Sequence, residues 1–150
     1  MELKVGDKVP EFNAEDTNGN VFHSQDVIGK KSVVLYFYPK DNTPGCTAQA
    51  CSFRDQYEDF IDLGAEVIGI SSDSVASHQK FTKQYKLPFI LLSDANKKIR
   101  KLFGVPTGMF GLLPGRVTYV INKEGIITMV FDSMLATKHI TKALEAIKKY

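Results

Sequence analysis

The chain has 150 residues, 43% hydrophobic and 24% charged, enough to close one globular core without covalent staples. Its formal net charge of +2 is too small to point to nucleic acid, and no stretch approaches the ~20 apolar residues of a membrane span. Two cysteines in a chain of this size do not make a secreted disulfide framework; they suit reduced surroundings and a catalytic or sensing role.

In chain order, Met1-Glu2-Leu3-Lys4 shows no signal or transit pattern, so cytoplasm is the first expectation. A pair of short strands is expected around Asp16-Thr17-Asn18-Gly19. Val33 to Tyr38 is continuously apolar and aromatic, as a central strand buried on both faces is, and Glu66 to Ser71 reads the same way. Between them, Thr43 to Leu63 carries Phe53, Tyr57 and Phe60 at helical spacing and stops at Gly64, a natural residue past a helix end. The two strands of this unit should be parallel neighbours.

A second helix is predicted from Ser74 to Tyr85, then a strand from Phe89 to Leu92 and a third helix from Ala95 to Phe103, closed by Gly104. Its cluster Lys97, Lys98, Arg100, Lys101 reads as a solvated face. Arg116 to Ile121 and Ile126 to Phe131 form a hairpin across Asn122-Lys123-Glu124-Gly125, and Ile140, Leu144 and Ile147 stripe a last helix. Parallel strands with helices, closed by a hairpin and helix, indicate an α/β fold: a thioredoxin-like three-layer sandwich with a mixed central sheet. With no repeats or linkers, residues 1–150 are expected to be one domain.

Thr43 suits the N-cap and Pro44 the first helical position, so Cys46 falls in the first turn, where unpaired N–H groups and the positive helix end favour an anion. At 100° per residue Cys46 shares a face with Phe53, Tyr57 and Phe60, whereas Cys51 points the other way beside Asp55, Glu58 and Asp62. On a regular helix their Cα atoms are about 8.7 Å apart, beyond the ~7 Å limit for a disulfide, so they pair only if the first turns unwind. Spacing alone leaves open that Cys46 is a small buried hydrophobe and Cys51 an incidental thiol. His23, His78 and His139 lack ligand spacing to the cysteines, so neither a metal nor another cofactor is expected. The spacing Cys-x-x-x-x-Cys is also not that of a Cys-x-x-Cys dithiol reductase.

The segment Pro39-x-x-x-Thr43-x-x-Cys46 resembles the active-site motif of the peroxiredoxins. Tyr36-Phe37-Tyr38-Pro39, Thr43-Pro44-Gly45-Cys46-Thr47 with Cys51, Leu87-Pro88-Phe89, Leu92-Ser93-Asp94 and Leu113-Pro114-Gly115-Arg116 are similar to its bacterioferritin-comigratory-protein or peroxiredoxin Q subfamily. That resemblance implies a thiol peroxidase for hydrogen peroxide and organic hydroperoxides, acting as a monomer. In it, Cys46 is oxidised to a sulfenic acid, Cys51 resolves it as an intramolecular disulfide, and thioredoxin or a similar dithiol recycles the pair. Relatives occur in bacterial cytoplasm and in chloroplasts, which opens the second compartment to a processed chain.

An ionised sulfur alone does not make a good peroxidase; the O–O bond must be held in line and the departing oxygen stabilised by fixed donors. The resemblance assigns these tasks to the Thr43 hydroxyl, the first-turn N–H groups and Arg116, with Pro39 shielding the sulfur and Gln49 supporting the arginine. Without the resemblance, Arg116 would read as a surface residue and Gln49 as solvated. Met109, Phe110 and Leu112, in an apolar, glycine-containing stretch, are expected either in the core or as a rim that admits alkyl chains and docks the reductant. Two other functions use the same chemistry: a peroxide-responsive sensor or interaction module switched by the Cys46–Cys51 bridge, and a thiol reductase or holdase-like scaffold. Steady-state turnover separates the first from an enzyme, and activity without peroxide would mark the second.

Overall fold

The structure is a computed structural model that describes residues 2–105, 107–108 and 113–149, with only the backbone of 107, 108, 113 and 114. Its strands are β1 Asn13–Asp16, β2 Val21–His23, β3 Ser32–Phe37, β4 Ala65–Ser71, β5 Ile90–Ser93, β6 Thr107–Gly108, β7 Leu113–Pro114, β8 Val117–Ile121 and β9 Ile127–Asp132. The helices are α1 Pro44–Asp55, α2 Tyr57–Asp62, α3 Val75–Tyr85, α4 Lys98–Phe103 and α5 Lys138–Lys149. Seven strands form one mixed sheet in the order β2-β1-β5-β4-β3-β8-β9, while β6 and β7 pair separately. As the strand-helix-strand pattern requires, β3 and β4 are parallel, with Ser32 opposite Ala65 and Phe37 opposite Ile70.

The continuous apolar run of β3 has its cause in the layers on either side. Val34, Tyr36 and Tyr38 pack with Cys46, Ala50 and Phe53 of α1, Phe60 of α2, Phe81 of α3 and Ile140, Ala143 and Ile147 of α5. Val33, Leu35 and Phe37 face the opposite layer, where Ile99 and Phe103 of α4 meet Val9 and Phe12 of the N-terminal segment. With both faces covered, no position of the strand faces water. Tyr36 stacks on Phe53 at 4.7 Å between centroids, fixing the inner face of α1 against the sheet centre. The same ring lies across the neighbouring strand at Gly69, where a Cβ would sit 2.8 Å from Tyr36 Cζ.

Three elements differ from the sequence reading. The helix predicted over Thr43 to Leu63 is interrupted at Gln56, whose φ of −111° and ψ of 13° separate α1 from α2. No glycine or proline marks the break; beyond it Tyr57 donates to Glu66 Oε1 at 2.7 Å and Phe60 tucks beneath Phe53. The third helix starts at Lys98 because the Asp94 carboxylate accepts the N–H groups of Ile99 and Arg100, each at 2.9 Å, leaving residues 95–97 as a turn. Finally, Arg100 does not belong to a solvated face. It is 7% exposed, its guanidinium donates to the carbonyls of Gly115 and Tyr38, each at 3.4 Å, and it lies over the Phe37 ring.

At the β8 end of the sheet, His139 of α5 is fully buried. Its Nδ1 lies 2.7 Å from Thr118 Oγ1, its Nε2 lies 2.7 Å from the Ser133 carbonyl, and the Phe131 ring meets it edge-on. Neutral imidazole fits, with Nε2–H donating and Nδ1 accepting. Burial pushes its pKa down to about 4, with the nearby Arg116 charge acting in the same direction against the Ser133 carbonyl. Since the folded value lies below the unfolded one, this contribution to stability is full above about pH 6.5 and is lost as pH falls toward about 4. Replacing His139 with Asn should therefore give a stability gap from the parent that narrows across that interval, measured by urea unfolding at each pH. Gly69→Ala should cost about 1–3 kcal/mol in the same assay, because Tyr36 and Leu91 already fill the space.

Candidate active site

The loop from Tyr38 to Thr43 carries the chain from the end of β3 into α1. Thr43 has extended φ and ψ of −91° and 154° and Pro44 follows at the helix start, as the cap sequence predicts. The Thr43 side chain makes no cap bond; its hydroxyl donates to the Lys40 carbonyl at 2.9 Å. Two consequences follow. Among the described residues nothing accepts from the N–H groups of Gly45 or Cys46, which stay available to an anion. The threonine hydroxyl, for which the sequence reading expects a donor's part, has its hydrogen engaged by the Lys40 carbonyl and leaves its lone pairs unused.

Cys46 is 1% exposed, seated in the core beside Ala50 and Phe53. Arg116, just ahead of β8 and 4% exposed, donates through Nη2 to Cys46 Sγ at 3.5 Å and through Nη1 to Gln49 Oε1. Gln49 sits one helical turn after Cys46 and is itself buried, so the two contacts close a triangle of thiol, guanidinium and amide. The approach needs Gly45: a Cβ there would lie 2.9 Å from Arg116 Nη2. Pro39, Thr43, Gly45, Asp73, Arg116 and Met134 line a cavity of about 550 Å³ that opens in front of the guanidinium.

Cys51 lies on the same unbroken helix, half-buried, and both cysteines are free thiols. The structure thus brings Cys46, Arg116, Gln49, Thr43 and Pro39 to one place and leaves Cys51 away from the sulfur across α1. Met109, Phe110 and Leu112 lie outside the described residues. Sequence reasoning gave no role to Gly45, quoted only within the motif around the cysteine, and missed Met134, an exposed methionine in the turn after β9 with no motif around it. It also missed Asp73, which reaches the cavity from the loop after β4.

The AhpC/TSA family model matches residues 5–130, so the chain belongs to that family. Within it this is a peroxiredoxin of the Q type, a thiol peroxidase and hence an oxidoreductase. It is similar to chloroplastic peroxiredoxin Q of Triticum aestivum, 50% identical over 148 residues that cover 98% of this chain and 68% of that one. Among solved structures it resembles peroxidoxin BcpB from Mycobacterium tuberculosis, with a TM-score of 0.90, 35% identity and coverage of 99% and 98%. It also resembles a bacterioferritin comigratory protein of Xanthomonas campestris described for alkyl peroxide reduction, with a TM-score of 0.84, 29% identity and coverage of 92% and 90%.

Two substitutions test the geometry around the sulfur. Arg116→Lys exchanges a planar fork for a point charge that cannot hold Gln49 and Sγ together, and should slow the peroxide step by about 100-fold, read by stopped-flow peroxide consumption. Gly45→Ala should slow the same step by about tenfold, through displacement of the guanidinium, while far-ultraviolet circular dichroism stays unchanged.

Proposed function

We propose that this chain acts as one monomeric domain that reduces hydrogen peroxide and organic hydroperoxides, with Cys46 as nucleophile and Cys51 as resolving thiol, recycled by thioredoxin or a similar dithiol. The observation that carries the reading is the 3.5 Å contact between Arg116 Nη2 and Cys46 Sγ at the free N-terminal turn of α1. A guanidinium buried there supplies a charge-assisted donor to an ionised sulfur and, in the same cavity, to the oxygens of a peroxide.

Thiolate sulfur attacks the nearer peroxide oxygen. An S–O bond forms, the O–O bond breaks, and the farther oxygen leaves as hydroxide or alkoxide and takes up a proton. Cys46 has lost two electrons to the peroxide and is a sulfenic acid. Arg116 and the Gly45 and Cys46 N–H groups hold the charge on the oxygens, Gln49 positions the arginine, the Thr43 oxygen accepts from the peroxide O–H, and Pro39 covers the sulfur from water. The Cys51 thiolate then attacks Cys46 Sγ, forming S–S and breaking S–O, and hydroxide leaves as water after protonation. Thioredoxin dithiol supplies two electrons to reopen the bridge, attacking a sulfur that the half-buried Cys51 keeps within reach.

Met134 and Pro39 on the cavity wall support acceptance of an alkyl group, and the Xanthomonas relative's alkyl peroxide activity points the same way. The wheat relative's plastid address supports a chloroplast beside the cytoplasm as the place of action.

A peroxidase assay coupled to thioredoxin and its reductase tests the cycle. Cys46→Ser should consume no peroxide, and Cys51→Ser should consume about one equivalent and then stall. Sustained turnover by Cys51→Ser at the parent rate would remove the resolving role. A single turnover by the parent, without a steady state, would favour a peroxide sensor using the same switch.

A further inference from the structure

A second polar cluster lies inside the protein, behind the thiol loop and outside the triangle of Cys46, Arg116 and Gln49. Asp41, 6% exposed, takes three donors on its carboxylate: Tyr38 Oη at 2.6 Å, Ser77 Oγ at 2.8 Å and His78 Nδ1 at 2.7 Å. His78 is fully buried, and its Nε2 lies 3.1 Å from the Leu92 carbonyl, so the ring bridges the Asp41 carboxylate and the end of β5. The Asp41 N–H donates to Asp73 Oδ2 at 2.8 Å, an oxygen that also takes Ser71 Oγ at 2.7 Å. Next in the chain, Asn42 adopts φ of +60°, a left-handed conformation costly for a residue with a side chain. Its side chain meets Gln84 and Tyr85, each at 3.3 Å. The loop is thus tied to α3 through Asp41 at Ser77 and His78 and, at the left-handed residue itself, through Asn42 at Gln84 and Tyr85.

We propose that Asp41, His78 and Asp73 form a latch on residues 39–45, positioning residues that hold Thr43 and Cys46 in the peroxide-facing arrangement and set how readily the first turns of α1 unwind for Cys51. The inference rests on the reading above, in which a Cys46 sulfenic acid becomes a Cys46–Cys51 disulfide. Helical geometry keeps the two cysteines about 8.7 Å apart at Cα, so closure of the bridge waits on opening of the turn that begins where the latch ends. Until then the sulfenic acid is open to a second peroxide, which transfers an oxygen to sulfur, leaves as water or alcohol, and yields the sulfinic acid. The latch therefore governs a partition between resolution and irreversible oxidation.

Removing one bond from the latch enlarges the minor open population and scarcely changes the closed majority, so the two chemical steps should respond differently. Ser77→Ala deletes a single donor from a half-buried position and keeps the Asp41–His78 contact, so the fold survives. Rapid quenching of the full-length protein with intact-mass readout of thiol, sulfenic, disulfide and sulfinic forms follows both steps. The disulfide step should quicken by about fivefold, the peroxide step should stay within about twofold, and sulfinic acid formed at high peroxide should fall by about fivefold. Asp41→Asn, which weakens all three carboxylate contacts, should move the disulfide step and the sulfinic yield further in the same directions. Slowing of both steps together with a lower thermal midpoint, or an unchanged disulfide step, overturns the latch. Run in parallel, a parent chain that forms no intramolecular disulfide overturns the resolving role and the latch with it, whereas a parent that does so beside unaltered variants overturns the latch alone.

Discussion

The site depends on a cation that has been taken out of water. Arg116 is almost wholly buried, and no carboxylate pairs with it among the described residues; its contacts are the Gln49 carbonyl oxygen and the Cys46 sulfur. A buried guanidinium without a counter-charge is costly, on the order of several kcal/mol. In the reaction proposed above the Cys46 sulfur would supply that charge, so that the arginine's place and the sulfur's chemistry would rest on one contact. The guanidinium Nε and the Gln49 Nε2 are buried and have no hydrogen-bond partner among the described residues, a further cost carried by this cluster.

The rest of the neighbourhood follows from keeping that contact open on one side. Gly45 makes room for the guanidinium, the extended Thr43 leaves the first-turn N–H groups free, and the stacked Tyr36 and Phe53 press the helix onto the sheet so that the sulfur cannot drift. The hydrogen bond from the Ser133 N–H to the Arg116 carbonyl, and His139 against Thr118, fix the opposite end of the arginine's segment. Precision here comes from elements far apart in sequence meeting at the carboxyl end of β3.

Much of this was legible in the residues because the features concerned are local. The apolar run of β3, the Thr43-Pro44 cap and the inward phase of Cys46 each depend on periodicity or spacing within a few residues. What stayed hidden depends on tertiary contact. A basic run gives no sign that Arg100 turns inward to two backbone carbonyls, since its burial is set by Phe37 and by the loop ahead of Arg116. Nothing near Gln56 announces the break, because Glu66 on β4 and Phe89 just ahead of β5 receive Tyr57. Asp41 and His78 stand 37 residues apart, each unremarkable alone, and only the fold makes them partners.

The interruption at Gln56 bears on how costly a rearrangement of the thiol helix would be. A melt that starts at Pro44 has a natural stopping point twelve residues on, with Phe60 still docked on the far side. The conformational freedom released and the packing given up are then confined to a short segment rather than to a helix continuous to Leu63. Such a segment can open and reclose many times without the sheet behind it losing register, which the proposed alternation between two sulfur bonding states would require of its scaffold.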